Sequence, residues 1–190
     1  MSLEHILLGI LKEPASGYDL RPVFERVFRH FWGADSSQIY RVLNRLEKQN
    51  KLDSWMEASD KGPDRRVYRT TDAGRADLLA WLQAGPVFGT EKFTYLAQIY
   101  FLGEVGDLKW SEAFFQSIRD DLKTSLDELR ATEAGWSQNP DYPDNLSTID
   151  FHRQLTLSMG LHKIAALVEW ANESLSRIRQ RQANEGQTND

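Results

Sequence analysis

Sixteen residues, Ser36 to Lys51 (SSQIYRVLNRLEKQNK), constrain this chain more than any other stretch, because their apolar side chains fit one period only. Ile39, Val42, Leu43 and Leu46 fall at i, i+3, i+4 and i+7, a single stripe of a 3.6-residue helix. A helix with so narrow a stripe buries it against neighbours and leaves the rest in water. Ser37, Gln38, Arg41, Asn44, Arg45 and Lys48 take that watery side. Arg, Gln and Asn carry forked donors and acceptors that match guanine and adenine edges in a DNA major groove. Alone, the same face also suits a merely solvated helix, so the flanking segments decide.

Upstream, Leu3, Ile6, Leu7, Ile10 and Leu11 predict a buried first helix stopped by Pro14. Ser16-Gly17-Tyr18-Asp19 has capping-box form, with Ser16 able to accept from the third backbone N–H and Asp19 near the positive end of the helix dipole. The second helix carries Leu20, Val23, Phe24, Val27, Phe28 and Phe31. Trp32-Gly33-Ala34 then reads as a turn, and Asp35 or Ser36 as the next N-cap.

Downstream, LDSWMEA (52–58) and RRVYRTT (65–71) have strand composition, and Ser59-Asp60-Lys61-Gly62-Pro63-Asp64 between them is turn chemistry. A Gly-Pro pair cannot sit inside a strand, so the two runs form a hairpin whose tip projects Lys61, Arg65 and Arg66. Thr71 caps a fourth helix with Leu78, Leu79, Trp81 and Leu82. Three helices and a basic hairpin are the order of a winged helix-turn-helix with a two-stranded β-wing, over residues 1–84.

Charge divides the chain in the same place. The formal net charge is −5, yet residues 1–84 hold 13 Lys and Arg against 12 Asp and Glu, leaving 10 against 16 for the rest. Residues 36–51 and 61–75 are each net +3. Two positive segments in a near-neutral domain suit a footprint that attracts phosphate on one face.

Gly85-Pro86 and Gly89 punctuate a boundary, and residues 90–183 read as an all-helical dimerisation domain. Phe93, Leu96, Tyr100 and Phe101 mark a short helix. Phe115, Ile118, Leu122, Leu126 and Leu129 mark a longer one, ended by Gly135 and the breaker loop Asn139-Pro140-Asp141-Tyr142-Pro143-Asp144. From near Ser147, Leu157, Leu161, Ile164, Val168, Ala171, Leu175 and Ile178 repeat at alternating intervals of four and three, a heptad seam. The seam specifies helix packing but not its partner: it can close within the chain, across a two-fold axis, or both. Met159, His162, Ala166 and Trp170 offer a second apolar flank. Leu157, Leu161, Ile164, Val168, Leu175 and Ile178 are the candidate dimer contacts. Residues 184–190 read as a polar, disordered tail.

Zero cysteines exclude disulfides, thiolate metal sites and cysteine nucleophiles, which fits a reducing cytoplasm. The apolar start, LEHILLGIL, is too short to span a bilayer and lacks the leader and cleavage pattern of a signal peptide. His5, His30, His152 and His162 show no i, i+4 pairing, so no metal site is expected. No Gly-rich phosphate loop, nucleophile elbow, HExxH or paired catalytic carboxylates can be picked out; neither an enzyme nor a cofactor is expected.

LEHILLGILKEPASGYDL, SQIYRVLNRLEKQNKL, RRVYRTTDAGR and EKFTYLAQIYFLGE together resemble the PadR family of bacterial transcriptional regulators. The resemblance implies a cytoplasmic homodimer that binds double-stranded DNA at a pseudo-palindromic operator, usually as a repressor released by a small aromatic effector. Many relatives have proline where this chain has Arg41, which adds a base or phosphate contact here. Gln38, Arg41 and Asn44 are then assigned to base edges, and Ser36, Ser37, Arg45 and Lys48 to phosphates. Tyr40 suits either the core edge or a phosphate. Lys61, Arg65 and Arg66 suit phosphate or the minor groove, whereas Arg69 also suits a salt bridge within the domain. Tyr95, Trp110, Phe114 and Trp170 are the candidate effector contacts, although aromatics at helical spacing are more often core. Rival readings are a winged helix used for protein–protein contact and an effector-independent activator.

Overall fold

A computed structural model of the chain describes residues 2–29, 31–58, 64–87, 89 and 93–187. It divides into two compact units, residues 1–90 and 91–190. No helix among the described residues is long and apolar enough to cross a membrane.

In the first unit, α1 (Ser2–Ile10) is followed by β1 (Ala15–Ser16), α2 (Gly17–Val23), α3 (Ser36–Lys48), β2 (Leu52–Glu57), β3 (Arg65–Thr70) and α4 (Asp72–Gln83). The capping box opens α2 as its residues dictate: Ser16 Oγ accepts from the Asp19 N–H, and Asp19 Oδ2 accepts from the Ser16 N–H at 2.9 Å. The expected single helix to Phe31 is broken in register. Pro22 lies inside α2, and the next turn, Phe24–Phe28, widens to π geometry. Asp35 is the N-cap of α3, its carboxylate accepting from the Gln38 N–H at 2.8 Å.

α3 ends in a Schellman motif. The Lys51 N–H reaches the Leu46 carbonyl and the Asn50 N–H the Glu47 carbonyl, with Asn50 in the left-handed region at φ 56°. The helix therefore stops at Lys48, and the chain turns directly into β2.

The sheet has three strands, not the two expected, in the order β1-β3-β2 and antiparallel throughout. β2 and β3 pair from Leu52↔Thr70 to Glu57↔Arg65, and Ala15 and Ser16 pair with Tyr68 and Val67 on the other edge of β3. Thr70 then donates to the Leu11 carbonyl from its N–H and to the Leu8 carbonyl from its hydroxyl, fastening the wing to α1. The core gathers Leu7 and Leu8 of α1, Leu11 just after it, Leu20 and Phe24, the whole α3 stripe, Leu52 and Tyr68. Each such buried leucine contributes on the order of 2–5 kcal/mol against alanine.

In the second unit, α5 (Thr94–Phe101) passes through a 3₁₀ turn (Leu102–Val105) to α6 (Leu108–Trp136), and α7 spans Thr148–Gln187. α6 starts seven residues before Phe115, the first apolar marker of its stripe, because Asp107 caps it, accepting from the Lys109 N–H. α7 continues through residues 184–187, which corrects the expectation of a disordered tail from 184; its last turns are rich in Arg, Gln, Ala and Glu, all good helix formers. Packing of α6 on α7 holds the unit together, with Phe115, Leu126 and Leu129 of one helix and Leu157, Ala171 and Leu175 of the other buried.

Candidate nucleic-acid interface

Burying Ile39, Val42, Leu43 and Leu46 fixes the rotation of α3, so its opposite face is determined too. Ser36, Ser37, Gln38, Arg41, Asn44 and Lys48 are all exposed there. Arg41, Asn44 and Lys48 make no side-chain hydrogen bond or ion pair within the described residues, and Ser37 bonds only the Asp35 carboxylate. Those bonds, from the Ser37 hydroxyl and then the Gln38 N–H, hold Asp35 below the usual carboxylate range. The helix therefore enters solvent with its cap ionised and its long polar side chains unspent.

Tyr40 is half out of the core, 44% exposed, and its ring lies against the backbone of Gly17 at the start of α2. Tyr18, next to it, is 78% exposed. Sequence reasoning passed over Tyr18, whose place in the first turn of a capped helix leaves this polar aromatic no core to fill.

Arg45 differs from its neighbours on the face. Its guanidinium pairs with Glu4 of α1 at 2.6 Å, its Nε is buried, and its side chain is 40% exposed. Arg65 is bound by Glu57 at 2.8 Å and lies 3.7 Å from Asp19. Arg66 pairs with Glu47 of α3, donates to Ser54 Oγ at 3.0 Å and covers the Tyr68 ring. Burial pushes the Tyr68 phenol upward, keeping it neutral beneath that cation. Both wing arginines thus project from a pinned root, and Glu47, which sequence reasoning passed over, ties the wing to the exposed helix. Arg69 lies over the Trp55 ring at 5.8 Å and makes no salt bridge among the described residues. Lys61, at the expected tip, falls outside the described residues, as does His30.

His5 stacks flat on Trp81 at 4.6 Å and stands 3.6 Å from Asp77, a joint between α1 and α4. No group of His, Asp and Glu able to hold a metal occurs among the described residues.

The second unit redistributes the remaining candidates. The seam faces inward: Leu157 and Leu175 are buried and Leu161, Ile164, Val168 and Ile178 half-buried, because α6 covers that side of α7. The seam thus packs within the chain, one of the partners that its spacing allows. The apolar side chains that α7 leaves exposed are Ile149, Phe151, Leu155 and Met159, joined on α5 by Leu96, Tyr100 and Phe101. Tyr95 and Trp170 meet at 6.4 Å and Trp170 meets Phe115 at 5.5 Å, an aromatic contact that knits α5, α6 and α7. Phe114 touches Phe115, and Trp110 points outward, 65% exposed.

A model described as the transcriptional regulator PadR-like family matches residues 6–89. The chain is 27% identical over 192 residues to the probable transcriptional regulator Rv1176c of Mycobacterium tuberculosis, covering 95% of this chain and all of that one. It resembles Bacillus subtilis PadR in complex with operator DNA (TM-score 0.73, 24% identity, 94% of this chain and 99% of that one). It also resembles the same protein in complex with p-coumaric acid (TM-score 0.66, 26% identity, 93% and 95%).

Proposed function

We propose that this chain, whose residues 6–89 match the PadR-like regulator model, is a homodimeric, sequence-specific repressor and not an enzyme. It binds a pseudo-palindromic operator in the cytoplasm and releases it when a small aromatic effector binds. The observation that carries this reading is the unspent outward face of α3. Gln38, Arg41 and Asn44 read base edges in the major groove, while Ser36, Ser37, Lys48, Tyr40 and Tyr18 set the helix against phosphates. Arg65 and Arg66 carry the wing to the backbone beside it.

One α3 reads only a few base pairs, so pairing multiplies its selectivity. The exposed apolar side chains of α5 and α7 are the second copy's docking face. Operator binding by the Bacillus subtilis relative and its complex with p-coumaric acid support the DNA and effector parts of the proposal.

Selection of bound sequences from a random duplex pool tests it. The expected product is a pseudo-palindrome with half-sites about one helical turn, roughly 10 base pairs, apart. Its affinity falls steeply with salt as condensed counterions are released. Equal binding to every duplex with no salt slope overturns the proposal.

A further inference from the structure

Asp35 opens α3 with more than a cap requires. The Ser37 hydroxyl at 2.6 Å and the Gln38 N–H at 2.8 Å both end on one of its oxygens, Oδ1. An ionised carboxylate has about four acceptor sites over its two oxygens, so Oδ2 keeps capacity for another donor. Asp35 is exposed and forms no ion pair among the described residues. The Ser37 hydroxyl, then the Gln38 N–H, keep it ionised, with Arg41 a lesser influence. Capping alone does not call for this charge, since Ser and Asn cap as well as Asp. The dipole of α3 favours a carboxylate at its first turn, but phosphate repels the same charge wherever the helix enters DNA. At the leading end of a DNA-reading helix a carboxylate is therefore unfavourable unless the duplex offers it a donor.

We infer that Asp35 reads a cytosine in each operator half-site, Oδ2 accepting from the cytosine N4 amino group in the major groove. Recognition helices of this class meet base edges with their N-terminal residues, and Asp35 stands at that end of α3, three residues before Gln38. On the major-groove edge guanine shows acceptors only, and thymine an acceptor and a methyl group, so both reject a carboxylate. Adenine places an acceptor beside its amino group, whereas cytosine shows a donor without one. The charge that selects cytosine also holds the helix off unmatched sequences. The inference rests on the operator reading of α3 above and adds to it a specificity residue opposite in sign to Arg41.

Selection of bound duplexes from a random pool by the full chain, repeated with Asp35→Ser and Asp35→Asn, tests the inference, since both replacements still cap α3. Wild type should return a fixed cytosine in each half-site, and guanine in its place should weaken binding about tenfold in anisotropy titrations. Asp35→Ser should bring the two bases within about twofold of each other while raising affinity for random duplex. Asp35→Asn, whose amide matches adenine N7 and N6, should turn the preference from cytosine to adenine, a gain that an unfolded domain cannot produce. A palindrome selected with the same bases at every position by all three proteins overturns the inference and keeps the operator reading. So does a loss in the variants that is equal on every duplex, which would leave Asp35 a helix cap only. Failure of the wild-type chain to select any sequence sinks both.

Discussion

The backbone of Gly17 lies flush against the ring of Tyr40: a β-carbon at position 17 would sit 2.7 Å from Tyr40 Cζ and 2.8 Å from its hydroxyl oxygen. Thus the first residue of α2 sets where the first exposed aromatic of α3 can stand. The angle between the two helices and the position of Tyr40 over any bound backbone are one variable.

Gly17→Ala should therefore act on stability and binding together. Overpacking of this kind costs about 1–3 kcal/mol, read as a lower urea midpoint. The displaced ring should weaken operator binding as well. Gly33→Ala, with nothing within 4 Å of the added carbon, is the control, and an equal loss there would refute the explanation.

Arg41 and Lys48 should behave differently on DNA although both are free cations. Arg41→Ala should cost about 1–3 kcal/mol on the operator and far less on random duplex, while Lys48→Ala should weaken all sequences alike and lower the salt slope by about one. Fluorescence anisotropy across a salt series separates them. A loss at Arg41 that is identical on random DNA would make it a phosphate contact only.

Glu47 neutralises part of the Arg66 charge, so removing its own charge should strengthen non-specific binding. Glu47→Gln should raise affinity for random duplex and steepen the salt dependence by about one counterion, as Arg66 becomes available to phosphate. Unchanged or weaker binding would show that the pinned wing, not the charge of Arg66, matters.

The two faces of α7 predict different failures. Ile164→Glu with Val168→Glu places charge against α6 and should unfold the second unit, seen as lost helicity. Phe151→Glu with Leu155→Glu alters only exposed positions and should give a folded monomer in sedimentation. A dimer that survives the second pair would place the interface elsewhere.

Acid should weaken the caps of α2 and α3. Asp19 is held below the ordinary range by the Ser16 hydroxyl and backbone N–H, Asp35 by the Ser37 hydroxyl and Gln38 N–H. A folded pKa below the unfolded one means that the stabilisation is complete above the unfolded value, near pH 4, and fades as pH falls through the folded one. The Tm gap between wild type and Asp35→Asn should thus be constant from pH 7 to about 5 and close below about 4.

What the sequence determined by itself is whatever short range decides. The stripe of Ile39, Val42, Leu43 and Leu46, the Ser16–Asp19 box and the Thr71 cap of α4 depend on neighbours three or four residues away, and all three stand where the spacing puts them. The exposed face of α3 follows, since burying one side of a helix presents the other. Only tertiary structure decided which charges are spent. Arg41 and Arg45 look alike one turn apart, but Arg45 meets Glu4, and Arg66 meets a Glu47 nineteen residues away. The two-residue strand at Ala15–Ser16 exists because β3 supplies its partner. The seam from Leu157 to Ile178 announced helix packing, yet a repeat of 3.5 fixes which side is buried and not by what; α6, fifty residues upstream, claimed it. Periodicity is written in the local chain, whereas the partner of a stripe or a charge is settled only when distant segments compete for it.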